Sequence, residues 1–493
     1  MEKMGWVLPV QRWVRGLAAV AALCCLGTIL TFAPGYLSPD SLDQLRQARG
    51  MTPLTDWHPP ALSLLWRALI AATGSFASMA VLQSLVFWGA LWVLAWCVWD
   101  LTGSRHGSLA VLGLGLLPWV LTFVGVVWKD VHAAFALLAA CAVAFVGLRL
   151  REGHSRPVVR WGLLWLGVLF LAYAILVRKN AFLAAIPIFV LLVMALWRGP
   201  GRRMWVKCTA ALLAALLVPA AAISLVAGPL QTHQSAQVVL DDLVHVLTVE
   251  ELRSADVPPE LRDRLVAAAR ECDRVGALSD AYWACYERPA DGLRGDSDEM
   301  TSLWLREMSG HVPQYIQYRL RLFASLLFET GYQYKAGVTP NDLGIEVAHP
   351  RLEDTLGTYV KGMAEDMPWL FRGWFWLAVA MVLAIRPGKG LFSMPVRALG
   401  ISSAAYILGY LPVVPATDFR YVYWPAMACS LGLLLLWLGR RATAPPRTAS
   451  PGAVTDRTVT EHQRTDTESR SPRSDAPASR QAAGGPAQAG PGG

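Results

Sequence analysis

The sequence predicts an all-α fold: a polytopic membrane protein with about ten transmembrane helices, interfacial helices in its first outer loop and a small helical extracytoplasmic cap. Hydrophobic residues make up 54% of the 493 residues and charged residues only 16%, which leaves too little polar surface for a water-soluble chain. The apolar residues form runs of membrane-crossing length. The net charge of +8 does not indicate a nucleic-acid partner, because the basic residues lie in short clusters between these runs, where positive charge orients membrane helices.

Ten apolar runs are predicted to span the membrane. They cover residues 16–34, 76–98, 108–128, 131–148, 161–177, 181–197, 205–228, 367–385, 397–415 and 421–439. The first run follows a basic flank but lacks a small-residue cleavage site, which favours an uncleaved helix over a signal peptide. The segment Pro60–Thr73 is short and has Arg67 in its middle, where a charge inside the bilayer would cost about 3 kcal/mol. We therefore expect it to lie at the interface as an amphipathic helix.

The distribution of basic residues predicts that both termini are cytoplasmic. When Pro60–Thr73 is counted as interfacial, the basic loop clusters fall on the N-terminal side: Arg105, Arg149, Arg151, Arg156, Arg160, Arg198, Arg202, Arg203, Lys207, Arg386, Lys389, Arg440 and Arg441. We therefore expect a multi-pass protein of the cytoplasmic membrane. Its predicted parts are a cytoplasmic N-terminus (1–15), seven helices with a first outer loop at 35–75 (16–228), the outer cap (229–366), three helices (367–439) and a disordered cytoplasmic tail (440–493).

The cap and the tail differ in composition. Residues 229–366 contain helical patterns separated by Pro and Gly clusters, which predicts a mainly helical cap. Of the eight cysteines, only Cys272 and Cys285 lie in soluble sequence, and we expect them to form a disulfide if the cap faces an oxidising compartment. After Arg441 the chain has almost no large apolar residues, so burial cannot offset the entropy of ordering it.

The first outer loop concentrates ionisable side chains beside the membrane, namely Asp40, Asp43, Asp56 and His58. In the sequence Ser-Pro-Asp-Ser, Pro39 restricts the backbone and the two hydroxyls are expected to hold the Asp40 carboxylate. Such a carboxylate suits a general base that accepts a proton from a sugar or protein hydroxyl. The alternative is that Asp40 only caps the helix that begins near Ser41.

Charged residues also occupy the other outer turns. Lys129 and Asp130 separate two long apolar runs with almost no loop between them, Arg178 and Lys179 form another turn, and Arg420 and Tyr421 lie in the last one. Basic residues on the outer face go against the orientation rule. Either they snorkel or pair with acids, or they form a cationic receptor for a lipid head group or a phosphate leaving group. Arg319, on a basic aromatic helix, is a further candidate.

The order and sidedness of these motifs resemble the GT-C-fold membrane glycosyltransferases, which use a polyprenyl-phosphate-linked sugar donor, as in the dolichyl-phosphate-mannose and arabinose transferase-like superfamily. The resemblance covers about residues 10–440 without most of the cap. It rests on Asp40, on Asp56 and His58 before Pro59 and Pro60, on Asp130, on Arg178 or Lys179, and on Arg420 with Tyr421. It implies inverting transfer of a sugar from a polyprenyl phosphate or diphosphate to a cell-envelope glycan, lipid or protein on the outer face.

The resemblance also implies residue roles. Asp40 would be the general base, and Asp130 would be a second catalytic acid that orients the acceptor or binds a divalent metal; no other cofactor is implied. Candidate substrate-binding residues are Asp56, His58, Lys129, Arg178, Lys179, Arg319, Arg420 and Tyr421. Two other functions stay open. A transporter or flippase of lipid-linked sugars would need ionisable residues deep in the membrane, and a non-catalytic envelope scaffold would use its cap to bind a partner.

Overall fold

The computed structural model describes residues 4–151, 156–287, 293, 295–329, 331 and 333–442, and in these ranges the chain consists of helices, turns and isolated β-bridges. Its α-helices are α1 Met4–Phe32, α2 Pro39–Arg49, α3 Pro60–Thr73, α4 Ser78–Thr102, α5 Arg105–Gly113, α6 Pro118–Leu121, α7 Lys129–Leu150, α8 Pro157–Val177, α9 Ala181–Leu196, α10 Arg202–Ala222, α11 Ala236–Val246, α12 Val249–Ser254, α13 Pro259–Val275, α14 Ala281–Ala284, α15 Ser297–Glu307, α16 Val312–Phe328, α17 Pro350–Asp366, α18 Gly373–Ile385, α19 Ser393–Leu408 and α20 Tyr423–Ala442. The predicted tail lies outside the described residues from residue 443 onward.

Six helices in the described ranges are long and apolar enough to cross a membrane: α1 from Arg12, α4, α7, α8, α10 with the π turn that follows it, and α20 with the 3-10 turn that precedes it. Helices α3, α9 and α18 are apolar but shorter. The predicted run at residues 108–128 is divided into α5, a 3-10 turn and the four-residue α6, because Pro118 cannot continue a helix. The chain is thus a helical membrane protein, and the number of ten crossings stays a prediction.

Backbone hydrogen bonds gather the predicted outer loops at one end of the helices. The amide of Tyr36 donates to the carbonyl of Gly125 (3.0 Å), which joins the first outer loop to the turn before α7. The amide of Leu37 donates to Gly337 in the cap (3.2 Å), and the amide of Gly331 donates to Thr417 in the turn before α20 (2.8 Å). Segments that are far apart in the sequence therefore meet on one face, which is the face that the charge pattern predicts to be outer.

Helix α3 lies against α2, and its arginine has a structural role. The guanidinium of Arg67 donates to the backbone carbonyls of Ala48 (3.2 Å) and Gln47 (2.8 Å) at the C-terminal end of α2. These carbonyls belong to the last turn of α2, which is the negative end of the helix dipole, so a cation is favourable there. The guanidinium of Arg67, whose charge makes a membrane-spanning helix unfavourable, is exposed and binds the C-terminal end of α2.

Helices α11 to α17 belong to the predicted cap segment. A buried ion pair joins two of them, since Arg319 Nη2 on α16 lies 2.7 Å from Asp242 Oδ1 on α11. The indole of Trp304 on α15 donates to the other oxygen of Asp242 (2.8 Å), so the three helices share one polar centre. A disulfide between Cys272 and Cys285, with Cα atoms 5.1 Å apart, joins the end of α13 to α14.

We expect this disulfide to stabilise the cap, because it closes a loop with a sequence separation of 13 residues, for which chain entropy gives about 3 kcal/mol. Maleimide labelling of the denatured full-length protein should detect two more thiols after reduction than before it. A Cys97→Ala variant, which lacks a buried free cysteine, should show the same increment. Equal labelling with and without reductant would contradict the pairing.

Candidate functional site

The position of Asp40 depends on a capping box at the start of α2. Ser38 Oγ accepts from the amide of Ser41 (3.3 Å) and Ser41 Oγ accepts from the amide of Ser38 (3.1 Å). Ser41 Oγ also donates to the carbonyl of Val127 (2.7 Å), and the indole of Trp128 donates to Ser38 Oγ (2.7 Å). The expectation that the two hydroxyls hold the Asp40 carboxylate is therefore wrong. The serines are three residues apart, which is the spacing of a capping box, and Ser38 rather than Asp40 is the cap.

The Asp40 carboxylate instead faces Arg420. Asp40 Oδ2 lies 3.1 Å from Nη1 of Arg420, whose Nε is 2.8 Å from Asp418 Oδ2. The side chain of Asp40 keeps 35% of its surface exposed, so the carboxylate is accessible as well as paired. Burial alone would raise the pKa of Asp40, but the charges of Arg420 and Lys129 oppose burial, and the pKa lies below its usual range. Asp40 is therefore ionised at neutral pH, as a general base must be.

Arg178 forms a second ion pair with Asp130. Arg178 Nε lies 3.0 Å from Asp130 Oδ1, and Nη2 donates to the hydroxyl of Tyr410 (2.9 Å). The guanidinium carbon lies 4.9 Å from the ring centre of Tyr421. Asp130 is 2% exposed, and removing one partner of such a buried pair typically costs 3–5 kcal/mol. The contacts of Asp130 thus assign it to holding Arg178 in place.

A cavity of about 310 Å³, which we call the cationic cavity, brings the predicted residues together. Its wall includes Asp40, His58, Lys129, Arg178, Arg420 and Tyr421. Lys129 starts α7, and among the residues that the structure describes no carboxylate forms an ion pair with it. A partly buried cation without an ion-pair partner is costly, so its presence at a cavity wall favours an anionic ligand.

A second cavity of about 320 Å³ adjoins the first and shares Lys129 and Arg178 with it. Asp56 and Lys179 line this cavity. Asp56 Oδ1 accepts from the amide (2.6 Å) and the hydroxyl (2.5 Å) of Thr232, which attaches the first outer loop to the segment after α10. Asp56 therefore has a structural contact here, whereas Lys179 adds a positive charge to the wall.

A third cavity of about 330 Å³, which we call the aromatic cavity, adjoins the cationic cavity at Asp40. The two cavities share Pro39, Asp40, Trp57, His58 and Trp283 in their walls. Trp57 from the first outer loop and Tyr282 and Trp283 from α14 provide its aromatic wall. The sequence analysis missed Tyr282 and Trp283, because a four-residue helix is too short to show hydrophobic periodicity. The nearby Cys285 was the one feature that drew attention to this segment.

Two further titratable side chains of the cationic cavity, His58 and Asp280, have shifted pKa values. His58 is buried, and burial together with the charge of Lys129 lowers its pKa to about 3, so the imidazole is neutral. Asp280 lines the cationic cavity, and burial raises its pKa to about 6 although Arg420 acts in the opposite direction. The positive charges of the cavity at neutral pH therefore belong to its lysine and arginine side chains and not to the histidine.

The structure does not bring every predicted residue to these cavities. Arg319 is committed to Asp242 and to the carbonyl of Val238 (3.2 Å), so its described contacts hold the cap together. Within the described ranges, no group of three or more His, Cys, Asp or Glu side chains is placed to hold a metal ion. The divalent metal suggested for Asp130 thus finds no ready ligand set among these residues, and Arg178 already supplies the positive charge beside that carboxylate.

Comparison with known proteins adds little to this geometry. No family model matches the chain, and no curated protein matches it. Among solved structures, the chain is similar to ArnT from Cupriavidus metallidurans bound to undecaprenyl phosphate, with 12% identity, a TM-score of 0.35, and coverage of 87% of this chain and 77% of that chain. So loose a likeness carries no weight beside the contacts described above.

Proposed function

We propose that the protein is a membrane glycosyltransferase that transfers a sugar from a polyprenyl-phosphate-linked donor to a cell-envelope acceptor on the outer face of the cytoplasmic membrane. The observation that carries the proposal is the meeting of one accessible carboxylate, Asp40, with Lys129, Arg178 and Arg420 at a single cavity. These residues come from four separate outer segments. An anion receptor beside a general base, at the end of a membrane bundle, suits a lipid phosphate as leaving group.

The proposed step balances as a single displacement with inversion. The acceptor hydroxyl oxygen attacks the anomeric carbon, and the bond from that carbon to the phosphate oxygen breaks. The electron pair leaves with the polyprenyl phosphate, and the hydroxyl proton passes to the Asp40 carboxylate. The oxygen of Asp40 that faces Arg420 is Oδ2, which leaves Oδ1 for the acceptor.

The lysine and arginine side chains of the cationic cavity would stabilise the leaving phosphate. The departing phosphate gains negative charge. Positive groups already fixed near it lower the activation free energy of transfer, because they need not reorganise as this charge develops. Asp130 and Tyr410 orient the Arg178 guanidinium, and Asp418 orients that of Arg420. Lys129, which lacks an ion-pair partner among the described residues, is the group that the phosphate would neutralise.

A reconstituted assay tests the proposal. Full-length protein in liposomes is given a set of sugars linked to polyprenyl phosphate, together with membranes of its source cell as acceptor. The measurement is release of free polyprenyl phosphate and labelling of a membrane acceptor. We expect release with at least one sugar and little release without acceptor. If none of the tested donors leads to release of polyprenyl phosphate, the proposal is contradicted.

A transporter of lipid-linked sugars is the second candidate, and one observation favours it. His132 lies within the candidate span α7, with Nδ1 2.9 Å from the hydroxyl of Tyr173 on α8. Both residues line an apolar cavity of about 280 Å³, and ionisable groups within membrane spans are typical of transport paths. If vesicles with an Asp40→Asn variant move a labelled lipid-linked sugar at the normal rate and the wild type transfers none, transport is the better interpretation.

A further inference from the structure

The aromatic cavity differs from the cationic cavity in chemistry although the two meet at Asp40. Its wall combines Trp57, Tyr282 and Trp283 with the polar side chains of Asp43, Thr55 and Thr232. The Lys and Arg side chains that line the cationic cavity are absent from the described lining of this one. An aromatic wall beside carboxylate and hydroxyl groups suits the apolar ring faces and the hydroxyl edges of a sugar.

The three rings form one compact cluster between the first outer loop and the cap. The ring centre of Trp57 lies 5.1 Å from that of Tyr282 and 6.2 Å from that of Trp283, and the last two are 5.0 Å apart. The planes of Tyr282 and Trp283 are at 86°, so the cluster makes a corner rather than a flat stack. Trp283 is 52% exposed, which is unusual for the largest side chain and leaves indole surface for a ligand.

Two independent links hold this corner in place. Asp241 on α11 accepts a hydrogen bond from the amide of Ala281 (2.8 Å), the first residue of α14. Cys285, directly after α14, is bonded to Cys272 on α13. The short helix that bears Tyr282 and Trp283 is therefore fixed at both ends, and a fixed aromatic wall loses little entropy when a ligand binds.

We propose that the aromatic cavity binds the acceptor of the transfer, and that this acceptor is a glycan with an uncharged pyranose unit. This inference rests on the proposed function. In an inverting displacement the attacking hydroxyl lies opposite the leaving group. The phosphate belongs with the cations, so the acceptor belongs in the adjoining cavity, which is also lined by Asp40 and has no Lys or Arg in its described lining.

Charge defines the acceptor further. Asp43, whose side chain is 41% exposed, and Asp40 place negative charge in the aromatic cavity. A carboxylated or phosphorylated sugar would be repelled by them without a facing cation, whereas an uncharged pyranose keeps its hydroxyls free to donate to both carboxylates. Both carboxylates therefore select the acceptor, and Asp40 accepts its proton.

Saturation-transfer NMR on the full-length protein in lipid nanodiscs tests this inference. The probes are uncharged trisaccharides of glucose, mannose, galactose and N-acetylglucosamine, with trigalacturonate as the charged counterpart. We expect at least one uncharged probe to bind through its ring C–H protons, and trigalacturonate to bind about tenfold more weakly or not at all. No binding by any uncharged probe, or tighter binding by trigalacturonate, would overturn the inference.

Variants locate the binding. Trp283→Ala should weaken the glycan about tenfold, because it removes the exposed ring face, and Trp283→Tyr should keep most of the affinity. Trp369→Ala is the matched control, since Trp369, in the 3-10 turn between α17 and α18, is 40% exposed but packs on Phe375. Equal weakening by Trp283→Ala and Trp369→Ala would refute the site.

A second probe separates this inference from the proposed function. Farnesyl phosphate should bind the wild type and a Tyr282→Ala variant alike, since Tyr282 lines the aromatic cavity but is not in the described lining of the cationic cavity. If farnesyl phosphate binds and no glycan does, the acceptor inference fails and the transferase proposal stands. If glycans bind through Trp283 and farnesyl phosphate does not bind at all, the donor side of the proposed function fails instead.

Discussion

Replacing Asp40 with Asn is expected to lower sugar transfer by about a hundredfold to ten-thousandfold, the range that a positioned general base contributes. The amide keeps the size of the side chain but cannot accept the acceptor's proton. Arg420 keeps Asp418 as an ion-pair partner (2.8 Å), so the cavity should stay assembled and donor binding should change little. The measurement is the rate of polyprenyl phosphate release at saturating donor, together with the amount of folded protein in the membrane.

Asp342→Asn is the matched control for this variant. This substitution makes the same chemical change at the protein surface, where the Asp342 side chain is 70% exposed and pairs with Arg46. An exposed pair is worth about 0–1 kcal/mol, so the control should transfer sugar normally. Full activity of Asp40→Asn would move the proton acceptor to another side chain, and loss of activity in both variants would point to a folding defect.

Replacing Lys129 with Gln is expected to produce the second large effect. The variant loses the cation that has no ion-pair partner among the described residues, and removal of one preorganised group of this kind typically costs about a hundredfold to a thousandfold in rate. Folding should not suffer, because the substitution removes a charge that is costly to bury and leaves no partner stranded. The readouts are kcat for transfer and the Kd for farnesyl phosphate, and both should worsen.

Two further variants make the result specific. Lys129→Arg keeps the charge and should restore phosphate binding in part, although its planar fork does not copy an ammonium group. Lys389→Gln removes an exposed lysine from the loop between α18 and α19 and should behave like the wild type. An unchanged Kd for farnesyl phosphate in Lys129→Gln would show that the phosphate does not bind at this cavity.

The membrane class could be predicted from composition, because the bilayer accepts only long apolar helices and the sequence has the apolar runs they require. The number of crossings was less secure. The run at residues 108–128 has the right length, yet Pro118 and its flanking turn divide it into pieces. The interfacial placement of Pro60–Thr73 rested on the cost of Arg67, and the structure supplies the partner, the carbonyl end of α2.

The candidate site shows a similar division. Local motifs singled out Asp40, Lys129, Arg178 and Arg420, because charges in short outer turns stand out against apolar runs. The same reasoning added Arg319, whose described contacts lie within the cap, and passed over Tyr282, Trp283 and Asp280. A charged residue in a turn can be recognised from the local sequence. Whether another side chain neutralises that charge depends on distant parts of the chain.

By itself, the sequence determined that this protein is a helical membrane protein with charged turns between its apolar runs, because periodicity, run length and charge are local properties. Only the tertiary structure decided that Asp40 faces Arg420, that Asp130 is committed to Arg178, and that α14 completes the aromatic cavity. These contacts join segments that lie from tens to hundreds of residues apart. They arise from packing and ion pairing among several helices at once, which no local pattern encodes.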